Sequence, residues 1–170
     1  MGQPLKEESS SQPATTSSQE PTSLILVSSG QSYQKSETIS VEIRLNAKKE
    51  EINGVDVILD YDPNILELKY TDSKFLNSTD SIFNMFPLPM VDENKGRISF
   101  SGLVSPGGSF KGEGKVASLE FEAKAVGQTK IEFVFKSGAT TDSNVSSYVQ
   151  LKDILEKATD LNLVVKQPSK

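Results

Sequence analysis

The chain has 170 residues, a formal net charge of −5, and neither cysteine nor histidine. Without cysteine it has no disulfide, thiolate metal site or thiol nucleophile, and without histidine it lacks the commonest general base near neutral pH. The negative charge, with no long basic run, disfavours nucleic-acid binding, and no apolar stretch approaches the roughly 18 residues of a membrane-spanning helix. We therefore expect a non-catalytic protein that binds no nucleic acid, spans no membrane and needs no cofactor.

Residues 1–22 differ in composition from the rest of the chain. They are rich in Ser, Thr, Gln, Pro and Glu and almost free of apolar side chains, so they cannot bury enough surface to offset the entropy of ordering. We interpret residues 1–22 as a disordered linker, 23–166 as one folded domain and 167–170 as the start of a second linker. Linkers on both sides are typical of one module in a longer surface protein, which predicts an extracellular or cell-surface location.

From residue 23 onward, apolar and polar residues alternate with a period of two. This alternation is typical of strands that bury one face in a core and expose the other to solvent. In chain order, the predicted strands are residues 24–27, 39–45, 55–61, 65–70, 97–103, 118–123, 131–136 and 161–165. The predicted core residues are Leu45, Val57, Leu59, Tyr61, Phe100, Leu119, Phe121, Ile131 and Phe133.

Turn-forming residues separate these strands. Pro, Asn or Gly occurs at residues 62–64, 94–96, 112–114 and 126–128, where these residue types favour a change of chain direction. Many short strands at this spacing predict an all-β fold, a sandwich of two sheets. The alternation breaks down between residues 71 and 92, and a short helix could form near residues 151–157.

The segment 52–68 resembles the hairpin between the third and fourth strands of cohesin domains. In that family an apolar strand ends in Tyr-Asp-Pro, and the next strand begins with an apolar residue followed by Leu-Glu. The same order occurs here, with Tyr-Asp-Pro at residues 61–63 and Ile-Leu-Glu at residues 65–67. Tyr61 ends the buried face, and Pro63 presets the backbone of the turn.

Later segments carry the resemblance further. Residues 96–110 and 114–124 are similar to the fifth and sixth cohesin strands, and residues 158–165 are similar to the closing strand. The resemblance covers roughly residues 23–166. It implies a jelly-roll β-sandwich of about nine strands whose partner is a dockerin module.

The resemblance also implies a docking surface, because dockerins bind the flat face formed by strands eight, three, six and five of the family. Carried over to this sequence, that face holds Asp56, Ile58, Asp60, Ser99, Ser101, Leu103, Ser118, Glu120 and Glu122. Asp56 matches an acidic family position that hydrogen-bonds the dockerin, whereas Gly54 stands where the family often has Asn. The alternation points the apolar Ile58 outward, which is a common mark of an interface. We therefore predict a non-catalytic protein-binding module of an extracellular scaffold.

A carbohydrate-binding module, acting in polysaccharide binding or degradation, is the alternative. Such a module needs an aromatic platform for sugar rings, and the chain has no Trp. Its four tyrosines are Tyr33, Tyr61, Tyr70 and Tyr148. Tyr61 is predicted to lie in the core, and no pattern places the other three in line.

Two groups of carboxylates suggest other chemistry. Asp142, Asn144, Ser146 and Asp153 have the spacing of positions 1, 3, 5 and 12 of a calcium loop, but the sixth position is Ser147 where that loop needs Gly. Asp56 and Asp60 are predicted to share one flat face, whereas glycoside hydrolysis needs two carboxyl groups facing a cleft. We therefore predict neither a metal site nor catalytic residues.

Overall fold

A computed structural model describes residues 20–71 and 74–168, and these residues form twelve strands and no helix. In chain order the strands are β1 Ser23–Ser28, β2 Ser32–Gln34, β3 Thr38–Asn46, β4 Ile52–Tyr61, β5 Leu66–Leu68, β6 Met90–Asp92, β7 Arg97–Leu103, β8 Glu113–Ala123, β9 Gly127–Phe133, β10 Asn144–Ser147, β11 Lys157–Thr159 and β12 Leu161–Lys166. Accordingly, nothing in the described part of the chain is a helix long and apolar enough to cross a membrane. The predicted linker over residues 1–22 falls almost wholly outside the described residues.

Two sheets form the sandwich. The five-stranded sheet has the order β11-β1-β3-β8-β5, and the seven-stranded sheet has the order β2-β12-β9-β4-β7-β6, with β10 paired to β4. The predicted all-β fold of two sheets is therefore confirmed. Four short strands that the alternation does not predict, β2, β6, β10 and β11, raise the number of strands above nine.

One hydrophobic core lies between the two sheets, and it contains residues from both. Every predicted core residue is buried, and none is more than 7% exposed. The ring of Tyr61 meets the ring of Phe121 edge to face, with their centroids 5.2 Å apart. Because Tyr61 and Phe121 belong to different sheets, this pair joins the two layers of the sandwich.

The irregular segment before β7 packs against the sandwich despite its lack of periodicity. Phe83 is 3% exposed and joins the core. A Cβ atom at Gly102 would lie 2.9 Å from the Phe83 ring, so the glycine makes room for that ring. Anchored in this way, the segment leads into β6, which pairs with β7 at the edge of the seven-stranded sheet.

The predicted helix near residues 151–157 is wrong. Leu151 has a φ of 53°, which lies outside the right-handed helical region. The Oδ1 atom of Asp153 accepts hydrogen bonds from the N–H groups of Val145 (3.0 Å) and Leu155 (2.9 Å). These two bonds hold the chain beside β10 in place of a helical turn.

Candidate functional site

The exposed side of β4, β6, β7 and β10 presents its side chains in transverse rows, because paired residues of adjacent strands point to the same face. We call this surface the β4/β7 face. Two rows cross β4, β7 and β6 in that order. One row is Ile58, Ser99 and Met90, and the next is Asp60, Arg97 and Asp92. The remaining rows are Asn144, Asp56 and Ser101, and Ser146, Gly54 and Leu103.

The structure brings together the first six predicted site residues, which all lie on the β4/β7 face. They are Asp56, Ile58, Asp60, Ser99, Ser101 and Leu103. The outward position of Ile58 is confirmed, because Val57 and Leu59 on either side of it are fully buried.

The placement of the other three predicted site residues on the same face is wrong. Ser118, Glu120 and Glu122 belong to β8, which lies in the five-stranded sheet between β3 and β5. The alternation predicts which side chains of β8 point outward but not which sheet the strand joins, and the resemblance to the sixth cohesin strand implies the sheet of β4 and β7 instead. Ser118 is in addition only 7% exposed.

The charges at one end of the face are paired with each other. Arg97 donates two hydrogen bonds of 2.7 Å to the two carboxylate oxygens of Asp60. These hydrogen bonds, and then the charge of Asp60, raise the pKa of Arg97. In the same row, a side-chain hydrogen bond from Lys95 lowers the pKa of Asp92. Asp60 is therefore half of an ion pair rather than a free acidic group.

Asp56 has different surroundings. Its carboxylate accepts a hydrogen bond from the Ser101 hydroxyl (2.5 Å) and another from the Asn144 side-chain amide (3.0 Å). Among the described residues, no Lys or Arg side chain pairs with Asp56 within 4.0 Å. Asp56 is thus oriented by neutral donors, and no basic side chain of the described residues compensates its carboxylate on the face.

Large apolar side chains surround this carboxylate. Leu88 is 86% exposed, Met90 64% and Met85 40%, and Leu103 and Ile58 are also accessible. Leu88, Met90 and Ile58 border a shallow depression of about 320 Å³ that also reaches Asp56. Exposed apolar side chains that cluster in this way, rather than singly, are typical of an interaction surface.

Sequence reasoning missed Met85, Leu88 and Met90 as site residues. They lie in or next to the segment without strand periodicity, so no face could be assigned to them. The available signal was the composition of the segment, which places three large apolar residues around Pro87 and Pro89. The structure places them on this surface: Met90 pairs with Ser99, Met85 bridges to Leu103, and Leu88 borders the same depression as Ile58.

The two acidic residues of the calcium-like spacing are used within their loop. Asp142 Oδ2 accepts the backbone N–H of Lys136 at 2.5 Å, and Asp153 Oδ1 accepts the two N–H groups beside β10. In residues 20–71 and 74–168, no three acidic side chains come close enough to hold a metal ion. Asp142 therefore organises the loop between β9 and β10, and Asp153 organises the segment after β10.

The comparisons with known proteins agree on one family. The sequence model of the family described as Cohesin domain matches residues 25–155, whereas no curated protein sequence matches the chain. The chain is similar to a type II cohesin domain from the cellulosome of Acetivibrio cellulolyticus, with a TM-score of 0.68 and 17% identity over 85% of this chain and 95% of that one.

Two further similar structures are complexes. One is a type II cohesin–X–dockerin complex from Acetivibrio cellulolyticus, with a TM-score of 0.65, 14% identity, and coverage of 85% of this chain and 99% of that chain. The other is a type I cohesin–dockerin complex from Clostridium thermocellum, with a TM-score of 0.61, 13% identity, and coverage of 85% and 99%. At these identities the similarity establishes the jelly-roll fold.

Proposed function

Because the chain belongs to the cohesin domain family, we propose that it is a non-catalytic module that docks a dockerin-type protein on its β4/β7 face. Two structures of similar fold contain a cohesin together with a dockerin, which supports this class of partner. The proposed binding residues on the face are Asp56, Ile58, Asp60, Ser99, Ser101 and Leu103, together with the exposed Met85, Leu88 and Met90.

The grouping of exposed apolar side chains on the β4/β7 face carries the proposal. The surface is shallow, so it suits another macromolecule better than a small substrate that must be enclosed. Its centre is apolar around Ile58, Leu88 and Met90, while the charged groups at its end are paired with each other. Apolar centres with polar surroundings are the part of an interface where most binding energy concentrates.

We further propose that the module works outside the cell or at its surface, as part of a scaffold. The Ser-, Thr- and Pro-rich segment over residues 1–22 supports this setting, because such segments often space the domains of surface proteins. In that arrangement the segment would separate the docking module from its neighbours and give the bound partner freedom to move.

The experiment is a binding assay of the whole chain against a panel of type I and type II dockerin modules. Two variants accompany the wild type: Ile58→Asp on the β4/β7 face, and Ile25→Asp as a matched control. Ile25 is 40% exposed on β1 of the opposite sheet. Both variants add one negative charge at an accessible isoleucine, so neither is expected to change the melting temperature appreciably.

We expect Ile58→Asp to weaken dockerin binding by on the order of 1–3 kcal/mol, since a charged side chain replaces an apolar contact at the centre of the face and must be desolvated there. Ile25→Asp should bind like the wild type. Equal affinities for the two variants would place the interface elsewhere. If none of the dockerin modules binds the wild type, the proposed function is wrong.

A carbohydrate ligand is the second candidate, because one exposed tyrosine has polar neighbours. Tyr70 is 45% exposed and borders an open pocket of about 600 Å³ with Glu67, Glu93, Asn94 and Lys124. An aromatic ring beside hydrogen-bonding groups is suited to a sugar ring.

Retardation in gels containing soluble polysaccharides should then be lost in Tyr70→Ala and kept in Tyr148→Ala, which alters a tyrosine that is 41% exposed. Equal migration of all three proteins with and without polysaccharide would exclude this candidate.

A further inference from the structure

The shallow depression on the β4/β7 face is lined by both apolar and acidic side chains. The apolar ones are Ile58, Leu88 and Met90, and the acidic ones are Asp56 and Asp142, with Asn144 beside them. A lysine or arginine side chain has the matching construction, because its aliphatic stem packs on apolar surface while its charged end reaches for polar groups. The shape and the chemistry of the depression thus point to one kind of side chain.

The buried carboxylate of Asp142 is a second, independent feature of the depression. It is only 6% exposed, and its Oδ1 atom is buried with no hydrogen-bond partner among the described residues. Its other oxygen, Oδ2, accepts the Lys136 backbone N–H. A buried carboxylate oxygen without a donor is costly, and this one belongs to a residue that lines the depression. Because Oδ1 is covered, it does not itself meet a partner, but its carboxylate attracts a cation placed in the depression.

The position of Asp142 is fixed by its neighbour. Ser143 is fully buried, and its hydroxyl accepts the Ile58 N–H (3.0 Å) and donates to the Ile58 carbonyl (3.1 Å). This double hydrogen bond attaches the loop to the middle of β4. The Asn144 side chain, which donates to Asp56, follows directly. Two carboxylates are therefore held beside one depression by rigid contacts.

The carboxylates of the face that have no basic neighbour favour a cation as the group bound in the depression. Asp60, Asp92 and Glu132 each pair with a basic side chain of this chain, whereas neither Asp56 nor Asp142 has such a partner within 4.0 Å among the described residues. Each Asp56 oxygen receives one hydrogen bond and can accept a second. Covering Asp56 with an apolar partner surface would desolvate its charge at considerable cost.

We propose that the depression between Asp56, Asp142, Ile58 and Met90 receives one lysine or arginine side chain of the docked protein, whose stem lies on Ile58, Leu88 and Met90. The inference rests on the proposed function in assuming that a protein partner docks on this face. It adds the chemistry of a single contact that determines which partner is accepted.

The test uses a yeast-displayed library of a designed three-helix bundle in which the outward positions of one helix are randomised. Clones are selected for binding to the wild-type chain and against binding to Ile58→Ser, which removes the apolar contact without adding a charge that attracts a basic side chain, so the retained clones contact the β4/β7 face. Each lysine or arginine of these clones is then replaced by methionine. Affinities are measured for the wild type, Asp56→Asn and Glu132→Gln. Glu132→Gln is the matched control, because it removes a carboxylate of the same sheet outside the depression.

We expect the retained clones to share one basic position whose replacement by methionine weakens binding to the wild type about tenfold or more. The same replacement should have an effect of about threefold or less against Asp56→Asn, and its full effect against Glu132→Gln. Asp56→Asn keeps the shape of the side chain, and its melting temperature is measured in parallel. Retained clones without a shared basic position, or an equal effect against the wild type and Asp56→Asn, would overturn the inference.

The library experiment and the dockerin assay test different proposals, so one can fail while the other stands. If natural dockerins bind the face but the clones show no coupling to Asp56, this inference fails and the proposed function stands. If the clones show the coupling while no natural dockerin binds, the proposed function fails and the assignment of the depression stands.

Discussion

At the scale of single residues, Tyr70 has a strongly perturbed ionisation. Burial, followed by the hydrogen bond that its hydroxyl donates to Glu93 (2.8 Å), raises the pKa of Tyr70 to about 12. The pKa of an unperturbed tyrosine is about 10. The folded state therefore holds the phenol proton more tightly than the unfolded state does.

The sign of the pH dependence follows from linkage. The contribution of Tyr70 to stability should be fully present below about pH 10 and should be lost as the pH rises from about 10 to about 12. Urea unfolding at several pH values between 9 and 12 measures this loss, which should be smaller in Tyr70→Phe. Glu93→Gln should lower the pKa of Tyr70 in an absorbance titration. An unchanged titration in that variant would show that Glu93 does not hold the proton.

Ser143 is a second residue with a specific structural role. Its buried hydroxyl satisfies both backbone groups of Ile58, at a position of β4 between the residues that pair with β10 and those that pair with β9. Ser143→Ala should destabilise the fold by about 1–3 kcal/mol, because it leaves a buried N–H group without its acceptor. Ser109→Ala is the control, since the hydroxyl of Ser109 lies on the surface and reaches only Glu51, at 3.4 Å. Equal stability of the two variants in urea would contradict this role.

At the scale of elements, the turn between β6 and β7 depends on a glycine. Gly96 has a φ of +66°, and a Cβ atom there would lie 2.0 Å from the carbonyl oxygen of Tyr61. The Gly96 carbonyl in turn accepts the Tyr61 N–H at 2.8 Å. This turn is therefore packed directly against the end of β4, and it holds Arg97 in position to pair with Asp60.

The turn requires glycine at residue 96 for two reasons, the positive φ and the lack of space for a Cβ atom, and alanine substitutions separate them. Gly107 also has a positive φ, of +79°, but a Cβ atom there would meet nothing within 4 Å. Gly107→Ala should cost about 1 kcal/mol from backbone conformation alone. Gly96→Ala should cost about 3 kcal/mol or more, because the added methyl group also displaces the backbone of β4. Chemical denaturation of both variants measures the difference, and equal costs would mean that the backbone around Tyr61 yields to the methyl group.

At the scale of the whole molecule, the sandwich closes through strands from distant parts of the chain. β1 pairs in parallel with β11, and β2 pairs in parallel with β12. Each of these contacts joins an early strand to a late one, so both termini of the domain are tied into the sheets. We expect a single cooperative unfolding transition and folding on the millisecond-to-second timescale that non-local strand pairing imposes.

Removal of residues 1–19 tests the boundary of the domain. Because the segment is polar and its residues can bury little surface, the shortened chain should have the same melting temperature to within about 2 °C, since a change of 1 kcal/mol shifts a domain of this size by about 2–4 °C. Dockerin affinity should also be unchanged. A clearly lower melting temperature would show that the domain begins before residue 20, and a loss of affinity alone would assign the segment to the interface.

The sequence by itself determined the direction of each side chain in the strands that it predicted. Alternation is a local property, since neighbouring side chains of a strand point to opposite faces whatever the strand pairs with. For this reason Val57 and Leu59 were correctly predicted to be buried and Ile58 to point outward. Six of the nine residues of the proposed site, those on β4 and β7, followed from that pattern together with the family resemblance.

Only the tertiary structure decided which strands lie side by side, because strand pairing joins residues that are far apart in the chain. The sequence alone could not show that β8 lies in the opposite sheet, which removes Glu120 from the face. It also could not show that Met90 aligns with Ser99, or that Arg97 neutralises Asp60, which lies 37 residues earlier. Local periodicity specifies how a side chain points, but the hydrogen-bonded neighbours of its strand determine what it meets.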